Sequence, residues 1–125
     1  MNARQSLKKW QKIFNLSHWK IKVRVVSEND NPEMEGMNGY VELRTLDKEA
    51  DIFLNVDLED KEPTVIHELL HVLLMDNFRT FINSIGTDGD SYDLFEYCGE
   101  TLVRDLSKSF NGRYDANPTG VIGYS

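Results

Sequence analysis

Two of the chain's three histidines fall in one short segment, TVIHELLHVLLMD, Thr64 to Asp76, with Glu68 directly after the first. If that segment is helical, His67 and His71 stand one turn apart and their rings project from one face, able to grip a single cation. Glu68 is turned by about 100° from His67, which sets it beside such an ion, where its carboxylate can take a proton from water. Two ligands and a general base on one helix are the mechanical content of the H-E-x-x-H pattern. The flanking residues Val65, Ile66, Leu69, Leu70, Val72, Leu73, Leu74 and Met75 cover most sides of the helix, so it is buried. Two imidazoles and a carboxylate inside such a helix cost free energy unless each finds a partner, and a metal ion is the partner that suits this spacing.

A hydrolytic zinc site needs three protein ligands and an open position for water. His18 lies at the start of a strand and Cys98 in a later helix, SYDLFEYCGETLVRDLSKSF, which also carries Glu96 and Glu100 one turn apart on one flank. Spacing alone leaves both glutamates open, with the helical wheel slightly favouring Glu96. The apolar stripe of that helix, Phe95, Leu102, Leu106 and Phe110, is interrupted by Gly99, where a neighbouring helix can approach closely.

The elements that must position these residues follow from periodicity. ARQSLKKWQKIFNL has Leu7, Trp10, Ile13 and Phe14 at helical spacing, with Lys8, Lys9 and Lys12 opposite. HWKIKVRVVS alternates Trp19, Ile21, Val23 and Val25 with Lys20, Lys22 and Arg24, a half-exposed strand. After a turn-rich stretch, YVELRTL and ADIFLNV form a hairpin across DKEA. The motif helix opens near Pro63 and runs to about Asp76 or Phe78. A last helix spans roughly 91–110, and an irregular tail follows from about 111. The order α-β-β-β-α-α predicts one α+β domain over residues 1–125, a small three-stranded antiparallel sheet covered on one face by helices.

At this point the chain resembles the gluzincin branch of the zincin metallopeptidases. It is more closely similar to small phage and prophage metallopeptidases and to the minimal zincin domain of the ImmA/IrrE type. Those chains carry HELLH or HELGH and later a Glu ahead of an apolar pattern that ETLVRDL, Glu100 to Leu106, matches. The resemblance therefore implies Glu100 as third ligand with His67 and His71, Zn2+ as cofactor, and Glu68 as the catalytic base of peptide-bond hydrolysis by metal-activated water. It also implies a peptide or protein substrate, narrow in range for so small a chain, and ADIFLN as an edge strand pairing with it. Tyr92, Tyr97, Tyr114 and Tyr124 are the candidates to steady an oxyanion, and nothing in the sequence ranks them. The alternative is a zinc-binding regulatory or interaction module without turnover.

Composition bounds these readings. One cysteine excludes an internal disulfide framework, and no run reaches the roughly 18 apolar residues of a membrane span. No secretion signal is evident, so a cytoplasmic protein is expected, in the host cytoplasm if phage-encoded. Net charge is −7, yet residues 1–27 hold seven bases and no acid, while the remaining 98 residues carry a balance of −14. The acidic body argues against nucleic acid as a partner, and the basic segment is expected to dock on that body. Oligomeric state is open.

Overall fold

The structure, a computed structural model, describes residues 2–86, 89–111 and 120–122. Helix α1 (Ala3–Ile13) leads to strand β1 (Lys20–Val26), and a single 3-10 turn at Pro32–Met34 precedes β2 (Gly39–Arg44) and β3 (Glu49–Asn55). Helices α2 (Glu62–Ile85) and α3 (Asp90–Asn111) follow, and the last described element is β4 (Gly120–Ile122). The class is α+β, as expected.

The sheet differs from the expectation of three antiparallel strands. Its order is β1-β3-β2-β4: β1 pairs parallel with β3, β2 antiparallel with β3, and β2 parallel with β4. The reason is topological. A short hairpin forces β2 and β3 antiparallel, but the longer connection from β1 to β2 lets β3 return between them, alongside β1. The expectation that ADIFLN lies at an edge is therefore overturned, because β3 has a hydrogen-bonded neighbour on each side. The tail, expected to be irregular, contains β4.

Alternation along β2 and β3 sends Val41, Leu43, Ile52 and Leu54 to one face, where all four are fully buried under the helices. On the opposite face, Arg44 reaches Asp51 at 3.2 Å and Glu49 at 3.5 Å, as their register across the hairpin dictates. Gly39 is required by packing: a Cβ there would lie 2.6 Å from the Phe53 carbonyl oxygen and 2.9 Å from Thr64 Cγ2.

The basic segment docks mainly by apolar contact. Leu7, Trp10 and Phe14 are buried in the core, and Trp10 and Phe14 meet Phe110 edge-on at 5.8 and 5.0 Å. Polar contacts to acids are fewer: Trp10 Nε1 donates to Glu62 at 3.1 Å, and Lys9 lies 3.7 Å from the same carboxylate. Exposed pairs of the Lys9–Glu62 kind contribute about 0–1 kcal/mol, whereas fully burying one large apolar side chain contributes about 1.5–3 kcal/mol. Burial dominates.

His18 is engaged elsewhere than at the motif. Its Nε2 hydrogen-bonds Asp76 Oδ2 at 3.0 Å, and Lys48 Nζ donates to Asp76 Oδ1 at 2.7 Å, tying the hairpin turn and the start of β1 to α2. Burial tends to raise the Asp76 carboxyl pKa, but the Lys48 and His18 hydrogen bonds outweigh it and hold the carboxyl below its ordinary range.

Two outcomes are expected. Gly39→Ala should lower stability by about 1–3 kcal/mol through overpacking against backbone, read from urea midpoints. Because the folded pKa of Asp76 is depressed, its stabilisation is complete above the ordinary carboxylate value and is lost as pH falls through the lower folded value. Asp76→Asn should remove that acid-side component, so its urea midpoint should change less than the unaltered protein's between pH 5 and 3.

Candidate metal centre

Helix α2 is longer than its sequence pattern suggested, running on to Ile85 before Gly86 closes it at φ 79. Asp60 Oδ1 accepts from the Glu62 amide ahead of Pro63, so negative charge and a residue lacking an amide N–H both sit at the helix start, where they are tolerated. The helix is walled in by the inner sheet face, α1 and α3. Gly99 of α3 is buried, and a Cβ there would come within 2.8 Å of Leu74 Cδ2. Its lack of a side chain therefore allows α3 to lie close enough for a glutamate to reach α2.

That glutamate is Glu100. Its Oε1 lies 3.1 Å from His67 Nε2, within hydrogen-bonding distance, and its Oε2 lies 2.9 Å from His71 Nε2. The two imidazoles are 5.1 Å apart, centroid to centroid. One ligand atom from each of His67, His71 and Glu100 lies within 4.8 Å of the others, so the group could hold a metal ion. Glu96, the competing candidate, is exposed on α3 and is not part of this group. His18 and the exposed Cys98 are not part of it either.

Two features of the donor set bear on whether it could hold a metal ion. Ligands about 2.0–2.2 Å from a tetrahedral ion are about 3.3–3.6 Å from one another; Glu100 stands 2.9 and 3.1 Å from the two rings, and the three ligand atoms lie within 4.8 Å overall. Moreover, His71 Nε2 is buried and makes no well-aligned hydrogen bond, despite its 2.9 Å approach to Glu100. Close but misaligned is what ligand atoms aimed at a common point show, whereas groups bonded to each other align.

The electrostatics favour the same arrangement. Burial holds the His71 pKa below its ordinary value, outweighing the opposing pull of Glu100, so the imidazole is neutral and has a lone pair to offer at neutral pH. Burial would raise the Glu100 carboxyl, but the His67 and His71 rings facing it outweigh that and hold the group ionised, far below its usual range. Arg104, one turn on, brings Nε to 3.4 Å from Glu100 Oε1 and steadies it. His67 and Glu68 are 1% and 0% exposed, and the Glu100 side chain is 29% exposed, so of these residues Glu100 is the one that meets solvent.

Of the tyrosines considered as oxyanion partners, Tyr92 is buried on α3, about 12 Å of helix rise before Glu100. Tyr97 is 73% exposed. Tyr114 and Tyr124 lie outside the described residues. Comparisons with protein-family models, with curated proteins and with solved structures found no match to this chain.

In metal analysis after loading with zinc and desalting, Glu100→Ala should lose most of the bound ion while Glu96→Ala retains it. Equal retention in both variants would remove Glu100 from the ligand set.

Proposed function

We propose that this chain is a zinc-dependent metallopeptidase that hydrolyses peptide bonds with metal-activated water, of the gluzincin-like kind carried by phage and prophage. In this reading His67, His71 and Glu100 hold Zn2+ and Glu68 is the general base. The observation that carries it is the convergence of two imidazoles and one carboxylate from separate helices, with Glu68 in the same helical turn. The group numbers three among the described residues, whereas a purely structural zinc is ordinarily closed by a fourth protein ligand.

When bound, zinc at such a site acidifies water toward a pKa of about 7 and polarises the scissile carbonyl. The chain's own residues do the rest. His67 and His71 present Nε2 from one face of α2, with Glu100 opposite them on α3. Glu68 stands three residues before His71, on the flank they share, where its carboxylate would receive a proton and return it to the leaving amine. The apolar walls of α2 exclude bulk water and strengthen these interactions.

The substrate in this reading is a peptide or protein, narrow in range, met in the cytoplasm. Among the described residues no helix is long and apolar enough to cross a membrane. A second reading, a zinc-binding regulatory or interaction module without turnover, draws on the complete burial of Glu68, 0% exposed.

One experiment separates the two readings. The purified protein should carry about one equivalent of zinc and lose it in His71→Ala. Glu68→Gln should keep the metal while cleavage of a peptide library falls about 10²–10⁴-fold. Cleavage unchanged in Glu68→Gln would reject the general-base role, and zinc without cleavage in the unaltered protein would favour the second reading.

A further inference from the structure

The flank of α2 that bears the candidate site adjoins β2. Thr64, Glu68 and His71 follow one another at i, i+4 and i+7, so they share one flank of the helix. Thr64 is buried against Gly39 at the start of β2, its Cγ2 2.9 Å from where a Cβ would stand. Other sides of α2 are taken by α1, through Trp10 and Glu62, and by α3, through Leu74 and Gly99. At its Thr64 end this flank therefore packs against β2.

On one side β2 is paired with β3 along its full length. Its other side carries β4, parallel, with Tyr40, Val41 and Glu42 opposite Gly120, Val121 and Ile122. Without β4, that row of amides and carbonyls would be an open edge, able to take up an extended peptide by strand addition. Extended peptide and β4 require the same backbone groups, so they exclude each other whichever way the peptide runs.

We propose that β4 is an autoinhibitory segment that occupies the edge of β2 beside the site and must leave before an extended peptide can bind there. This rests on the metallopeptidase reading for its consequence in catalysis, although the competition for the edge does not depend on it. A three-residue strand makes only a few ladder hydrogen bonds, each of modest net value in water. Tethering compensates, since a segment of the same chain competes at an effective concentration on the order of millimolar. The result is an edge closed to weak peptides and open to those that bind tightly or arrive when the tail is engaged elsewhere.

The test uses the full chain, its Val121→Pro variant and, as a second disruption of the same strand, Ile122→Pro. The probe is the end-blocked peptide spanning residues 119–124. Each variant should bind the probe at least about ten-fold more tightly than the unaltered chain, as expected once the tethered competitor is removed. The outward-facing amides among Tyr40–Glu42 should lose hydrogen-exchange protection in both variants. Library cleavage should rise in kcat/KM by a similar factor, and added probe should reverse the rise. Equal probe affinity in all three proteins, unchanged exchange of those amides, or, where the unaltered chain turns over, a cleavage rate indifferent to the variants would each overturn the proposal. Zinc content and residual turnover report separately on the metallopeptidase reading: if both are absent from all three proteins, that reading fails, while probe binding and exchange still decide the competition at the edge.

Discussion

Two imidazoles and a carboxylate stand on a helix that is apolar on nearly every other side, and removing them from water costs several kilocalories unless each finds a partner. Glu100 offsets much of that cost by turning one carboxylate toward both rings, at 3.1 and 2.9 Å. The rest of the architecture serves this meeting. The sheet face of Val41, Leu43, Ile52 and Leu54 seats α2, α1 closes a second side, and Gly99 brings α3 near enough for a short side chain to reach across. A methyl group at residue 99 would meet Leu74 Cδ2 at 2.8 Å, and that side-chain end would have to shift to admit it.

The geometry around Glu100 is that of a polar cluster that could hold an ion. Hydrogen-bonded groups align with one another, and the His67 contact does so. The His71 contact is short without being aligned, which leaves a buried nitrogen with no hydrogen-bond partner. The depressed pKa of that ring acts in the same direction, because an imidazole that stays neutral offers a lone pair where a charged one would repel a cation. Burial, which makes the histidines expensive, also makes them suitable ligands.

Seating the site under the sheet has a second consequence. The hairpin places β2, not β3, on the side away from β1, and the thread of β4 along it means that the strand nearest the site flank has both of its edges in use. Access of an extended chain and stability of the sheet are thereby linked through a few backbone hydrogen bonds.

How much of this was legible beforehand depends on the range of the forces involved. The motif helix, its burial, the basic amphipathic α1, the hairpin and the close approach at Gly99 follow from local periodicity and from residues whose steric demands are intrinsic. The His67 and His71 pair was readable because a single helical turn fixes their relation. Glu96 and Glu100 were not separable by spacing, since both lie on one flank of α3. Only the packing of α3 on α2 leaves Glu96 exposed and turns Glu100 toward the two histidines. Strand order was likewise out of reach: ADIFLN reads the same as an edge or a central strand, and only the return of β3 between β1 and β2 put it in the middle. The pairing of β4 had no local signal, because three residues flanked by Gly and Pro declare no period of their own. The sequence by itself determined which residues could bind a metal and which helix carries them, since those relations span a few residues. The tertiary structure decided which carboxylate completes the group and which strand edge stands beside it, because both depend on contacts between segments 30 or more residues apart.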